Sequence, residues 1–159
     1  MKSRILLITM LLPLFIFAEC GDRYDGEIVF STGNKVVVPY GKTEVEDILS
    51  NFPQASITSV TLPNSVTSIG GGAFVGCSSF RSVTLPDSVT SIGKGAFQSC
   101  KSLRSVTIPD SVTSIGKGAF YGCSRLRSVT IPDSVISIGN RAFPYHCTII
   151  RKYLIHGEK

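Results

Sequence analysis

The side chains with the plainest potential for chemistry in this sequence are its cysteines, and four of the five are regularly spaced. Cys77, Cys100, Cys123 and Cys147 lie 23, 23 and 24 residues apart. One cysteine per constant interval reads as one inward-facing position per repeat, filled by a small apolar side chain, rather than as the close pairs that hold zinc. Disulfides between adjacent turns are disfavoured. Parallel Cβ atoms on stacked strands sit ~4.8 Å apart, whereas a disulfide wants ~3.8 Å. Gly93-Lys94-Gly95 and Gly116-Lys117-Gly118 resemble phosphate loops only superficially, because neither continues into the Ser or Thr such a loop requires. They read as turns that need a permissive backbone. The two histidines, His146 and His156, fall near the end of the sequence, and His146 beside Cys147 reads as a surface residue rather than half of a Cys–His pair. The many serines recur at fixed repeat positions, unlike a single activated nucleophile. No catalytic residue, metal ligand or cofactor is expected.

The basic residues are more informative. Arg81, Arg104, Arg127 and Arg151 are expected at equivalent positions at the start of successive strands. Ser82, Ser105 and Ser128, with Thr84, Thr107 and Thr130, should line the same face. Charge is unevenly distributed: residues 21–50 hold three basic and six acidic side chains, whereas 57–159 hold eleven basic and four acidic. Stacked like charges destabilise an array unless something answers them. Two readings stand side by side. In one the arginines are a solvated face, partly paired with Asp87, Asp110 and Asp133. In the other, the arginine row and its Ser/Thr floor bind an acidic protein surface or a sulphated glycan. Nucleic acid is disfavoured, since the face lacks aromatic residues for base stacking.

The elements that position these residues follow from an internal repeat. Val60, Val83 and Val106 each open a 23-residue unit, the second reading VTLPDSVTSIGKGAFQSCKSLRS, and Val129 opens a fourth that changes register after Ala142-Phe143. Within a unit, Val83 and Leu85 alternate as a strand, which Pro86 and Asp87 end. Val89 and Ile92 make a second short extended piece, closed by Gly93. Ala96, Phe97, Cys100 and Leu103 have the spacing of one apolar face of a short helical turn. No unit can bury this face alone. Stacked in register, the columns Val83/Val106/Val129, Ile92/Ile115/Ile138 and Phe97/Phe120/Phe143 form one core.

This repeat, Pro-Asp-Ser-Val-Thr-Ser-Ile-Gly followed by Ala-Phe, Cys and Leu-Arg-Ser-Val-Thr, resembles the 23-residue leucine-rich repeat of the BspA-like (treponemal) class. The resemblance covers residues 57 to about 155. It implies a mostly β repeat solenoid with in-register parallel strands on a concave face, and a second short strand and a helical turn in each unit. It also implies exposure at a bacterial or parasite surface and attachment to host matrix proteins or to other cells.

The flanking segments complete the expected organisation. Residues 1–20 read as a signal peptide, with Lys2 and Arg4 before an apolar run from Ile5 to Phe17 that is too short to span a bilayer. Cys20 at its close offers a second reading, a lipoprotein leader, and any membrane association rests on that lipid anchor. Residues 21–56 read as a small α+β N-terminal cap: a hairpin of Ile28–Phe30 and Lys35–Pro39, then a helix with a Thr43/Glu46 capping box and an apolar stripe of Val45, Ile48, Leu49 and Phe52. Residues 57–159 form the repeat domain, its last strand carried on by Tyr153, Leu154 and Ile155 amid Arg151, Lys152 and His156. The expected protein is exported, either secreted or held at the cell surface, and binds a protein or sulphated glycan there. The alternative is a structural or periplasmic interaction scaffold without adhesive activity.

Overall fold

The computed structural model describes residues 24–30, 35–39 and 57–152. The leader, Cys20, the helix expected behind Thr43 and the strand extension at Tyr153–Ile155 lie outside them. The chain winds into a β-solenoid of about four turns. One row of strands consists of β3 (Ile57–Thr61), β5 (Ser82–Thr84), β7 (Ser105–Thr107) and β9 (Ser128–Pro132). The opposite row is β4 (Ser68–Ile69), β6 (Ser91–Ile92), β8 (Ser114–Ile115) and β10 (Ser137–Ile138). Every neighbour paired within these rows is parallel and in register: Ser82, Val83 and Thr84 face Ser105, Val106 and Thr107, and Ile69, Ile92, Ile115 and Ile138 align in one column. The expected hairpin is formed. Strand β1 (Tyr24–Phe30) pairs antiparallel with β2 (Lys35–Pro39) on one side and with β3 on the other. The outer edge of this sheet is therefore β2.

The local sequence explains each corner. Prolines 63, 86, 109 and 132 carry no N–H for a ladder, and their carbonyls each accept from the valine three residues on, at 3.0–3.1 Å. At two corners a serine ties one turn to the previous one: the Ser88 hydroxyl donates to the Val66 carbonyl and that of Ser111 to Val89, both at 2.6 Å, whereas the equivalent Ser134 hydroxyl makes no such bond.

The expected helical turn is not formed. From Gly72 to Cys77 the backbone N–H groups alternate instead. Those of Gly72, Phe74 and Gly76 reach the next turn, at the carbonyls of Lys94, Ala96 and Gln98, while those of Ala73, Val75 and Cys77 close local four-residue turns. A helix would spend all these donors internally and leave adjacent turns unlinked. The left-handed residues Gly72 and Gly76 (φ 75° and 73°) also break any right-handed helix. The apolar spacing read as a helix face is real, since Ala96, Phe97, Cys100 and Leu103 are all fully buried. A run of turns achieves it.

The core is a set of columns. Phe74, Phe97, Phe120 and Phe143 stack with centroids 4.9, 5.1 and 5.2 Å apart and planes within 7°. Phe80 takes the place of Leu103 and Leu126 and lies 5.5 Å from Phe74. Such spacing requires the backbones themselves to come close. The N–H groups of Gly93, Gly116 and Gly139 each donate at 2.7 Å to the isoleucine carbonyl of the previous turn. A Cβ on Gly93 would lie 2.7 Å from the backbone of Gly70 and Gly71, and one on Gly116 would lie 2.5 Å from the Lys94 nitrogen. Backbone cannot yield as a side-chain tip can.

Three substitutions test this account by urea unfolding. Gly116→Ala should lower stability by roughly 2 kcal/mol or more, because two turns must separate. Arg141 and Ser99 occupy left-handed positions filled by glycine in other turns (φ 53° and 62°). Replacing either by Gly should raise stability by about 0.5–1 kcal/mol through relief of that strain. A neutral Gly116→Ala would refute the close approach.

Candidate binding face

The exposed side of the β5, β7 and β9 strands follows from period-two alternation. Val83, Val106 and Val129 point inward and are buried, so Ser82, Thr84, Ser105, Thr107, Ser128 and Thr130 point out and are exposed. Arg81, Arg104 and Arg127, one residue before each strand, are also exposed. The backbone fixes the stacking of the first two, the Arg104 N–H donating to the Arg81 carbonyl at 2.9 Å, while Arg127 follows one period on, before β9, which pairs with β11 (Thr148–Lys152) rather than with β7. Three guanidinium groups thus rise from neighbouring turns along one border of a floor of hydroxyls. Where β3 meets β5, Ser59, Thr61, Asn64, Ser82, Thr84 and Pro86 line a shallow open groove over Val60 and Leu62.

Arg151 does not belong to this row. Strand β11 (Thr148–Lys152) pairs with β9 so that Thr148 faces Ser128 and Arg151 faces Ile131. The position level with Arg127 is held by Cys147, and the Arg151 guanidinium donates to the Val135 carbonyl at 3.3 Å. The cause is a shorter last turn, with five residues from Phe143 to Thr148 against eight from Phe120 to Ser128. Aligning Thr148-Ile149-Ile150 with Ser128-Val129-Thr130, rather than Cys147 with Cys123, would have shown this in the sequence. The expected answering aspartates also differ from the reading. Asp110 holds Lys152, with Oδ2 3.0 Å from Nζ. Among the described residues no ion pair engages Arg81, Arg104 or Arg127.

The cysteine column is structural. Cys77, Cys100 and Cys123 are fully buried free thiols. The Cys100 thiol donates to the Phe74 carbonyl and that of Cys123 to Phe97, each at 3.1 Å. Hydrogen bonding with the neighbouring thiols of Cys123 and Cys77, then burial, pushes the Cys100 thiol far above the ordinary range. Cys147 departs from the column: it is half-buried at the start of β11, and burial followed by the proximity of Cys123 raises its thiol as well. Among the described residues no group of His, Cys, Asp and Glu is placed to hold a metal ion.

These features define a parallel β-solenoid whose strand face presents a basic row over hydroxyls. Residues 49–158 match the model of the BspA type leucine rich repeat region, in six copies, and the chain belongs to that family. A leucine-rich repeat protein from Bacteroides ovatus is 31% identical with a TM-score of 0.61, over 79% of this chain and 32% of its own. A T. pallidum leucine rich repeat protein is 31% identical with a TM-score of 0.44, covering 57% of this chain and 48% of its own. The pneumococcal vaccine antigen PcpA shares the fold at 20% identity and a TM-score of 0.59, over 79% of this chain and 34% of that one. The chain spans about a third to a half of the length of these structures. Comparison with curated proteins returns no match.

The thiol column carries its own test. A raised folded-state pKa keeps the proton on Cys100 while the unfolded thiol ionises above about pH 8.5. The stabilising contribution is thus complete below that pH and falls as pH rises, by about 1.4 kcal/mol per pH unit. Urea melts from pH 8 to 10 should show this slope, and Cys100→Ala should flatten it by one proton. Peptide mapping after alkylation of the native protein should find Cys147 modified and the three column thiols protected. Early modification of Cys100 would contradict its burial.

Proposed function

We propose that this chain is an exported binding module rather than an enzyme, and that it engages an anionic partner, an acidic protein surface or a sulphated glycan, at a cell surface or in extracellular matrix. One observation carries the reading: Arg81, Arg104 and Arg127 stand exposed at the same position of successive repeats, the first two in paired register, without an ion-pair partner among the described residues, beside two rows of exposed hydroxyls. Guanidinium groups bind carboxylate and sulphate oxygens in forked pairs, and their neighbours Ser82, Ser105 and Ser128, with Thr84, Thr107 and Thr130, supply donors and acceptors beside them. A partner with charges spaced along a line meets all three arginines without rearranging the protein. Membership of a repeat family supports a protein-binding role. The apolar leader of residues 1–20 supports export, with Cys20 as the candidate lipid attachment point.

Arg151 enters this proposal only as a flanking charge, because it sits out of register. Binding of the purified protein to matrix proteins and to heparin-like glycans should be saturable and should weaken steeply with salt. Replacing Arg81, Arg104 and Arg127 by Ser should weaken it by roughly tenfold or more without changing the melting curve. Equal affinity in the triple variant would remove the strand face from the mechanism.

A further inference from the structure

We propose that one wall of the solenoid is a docking surface for an anionic lipid bilayer, separate from the strand face. Each turn of chain has three walls. In the second turn these are the β5 strand, the β6 strand and the run of turns from Lys94 to Leu103. The three acidic side chains of residues 57–152, Asp87, Asp110 and Asp133, all stand at the Pro-Asp corner between the first two walls. That corner lies across the turn from the third wall. No acidic residue occurs in the third wall of any turn, at 71–80, 94–103, 117–126 or 140–147. Its borders are basic instead: Lys94 and Lys117 begin it, Lys101 and Arg125 lie near its end, and all four are exposed. A surface of negative charge orients such a lopsided body, drawing the basic wall in and turning the carboxylate corner away.

The last turn keeps a cation on this wall at the expense of backbone strain. The lysine position of the inner turns is Asn140 there. The next residue, glycine at 72, 95 and 118, is Arg141, held left-handed at φ 53°. A side chain at that angle is unfavourable, yet it restores the charge that Asn140 lacks. Among the described residues no ion pair engages Lys94, Lys101, Lys117, Arg125 or Arg141, whereas Lys152 answers Asp110 at the opposite corner. Like charges gathered on one wall repel one another. An anionic surface laid against the wall turns that repulsion into attraction.

The layout suits a plane better than a line. The N–H groups of Gly95, Phe97 and Ser99 donate to the carbonyls of Lys117, Ala119 and Tyr121, so adjacent runs stay in register and the cations follow both borders of the wall. A single polyanionic strand tracks one border, whereas a bilayer surface meets both at once. Between the borders, the position after each Ala-Phe carries Val75, Gln98 and Tyr121, with Val75 37% and Tyr121 42% exposed. A valine and a tyrosine flanked by cations match the headgroup region, where lipid phosphates take the charges and an amphipathic ring keeps one end apolar and the other wet. Association with a membrane then does not depend on a lipid at Cys20 alone.

Co-sedimentation of the purified full chain with phosphatidylcholine vesicles, with and without phosphatidylglycerol, tests this. Binding to the neutral vesicles reads what the apolar leader contributes. The excess on anionic vesicles should fade as salt rises. Lys94→Asn, Lys117→Asn, Lys101→Ser, Arg125→Ser and Arg141→Gly each install the residue that another turn has at that place, so the fold should survive. Together they should cut the excess by roughly tenfold or more, while Arg81, Arg104 and Arg127→Ser should retain most of it. The chain has no tryptophan, so Tyr121→Trp supplies a single reporter. Its emission should shift to the blue on anionic vesicles, and that of Thr84→Trp on the strand face should not. No preference for anionic vesicles would overturn the proposal, as would an unchanged excess in the five-fold variant. A blue shift as large at Thr84→Trp would also overturn it, moving the contact to the strand face.

Discussion

Everything in this molecule depends on how closely one turn of backbone approaches the next. At Gly93, Gly116 and Gly139 the chain passes within contact distance of the preceding turn and is fastened there by 2.7 Å hydrogen bonds. That approach sets the separation of every other column. It brings the phenylalanine rings to about 5 Å, a separation at which offset-stacked rings attract. It also lets the buried thiols of Cys100 and Cys123 each reach a carbonyl of the turn before. The outside of the solenoid inherits the same spacing, so the arginine and hydroxyl rows are by-products of a packing requirement inside. A surface pattern that a partner could read thus costs the fold little beyond the repulsion between exposed charges, which solvent screens.

The last turn shows what the constraint permits. It keeps the inward residues, Val135, Ala142 and partly Phe143, but shortens the path from Phe143 to the next strand and brings Cys147 to the strand start. Strand β11 nevertheless pairs with β9 over five residues. Register between strands survives because it is set by backbone pairing and by burial of alternate side chains. What shifts is which side chain stands at each outer position, and Arg151 moves out of the basic row as a result.

Much of this was legible in the sequence, for a physical reason. A strict 23-residue period can be satisfied only by turns that bond alike, so the parallel strands, the inward valines, isoleucines and phenylalanines, and the buried cysteines follow from the period. The helical reading of Ala96 to Leu103 failed because spacings of one, four and seven record which side chains are inward, not how the backbone bonds. The glycines at 95 and 118, paired with Gln98 and Tyr121 across local turns, were the available signal. Arg151 stands out of the row because strand pairing, and not the conspicuous Cys147, sets the register of this turn. That no carboxylate among the described residues pairs with the arginines of the row was not legible, since an aspartate six residues on is near in sequence but lies past the strand, beyond a proline.

The serine corners carry one more implication. Ser88 and Ser111 each bond to a carbonyl one turn back, and the glycine and phenylalanine links repeat with the same phase. The inner junctions, across Gly93 and Gly116, are therefore chemically alike. A duplication or loss of one whole period in the gene would rejoin identical surfaces, while a change of any other length would set glycine against side chain. Slippage during replication thus becomes a source of folded variants that differ in the number of charges along the basic row. The number of arginines in the row would change in steps of one turn, with no new residue having to be invented.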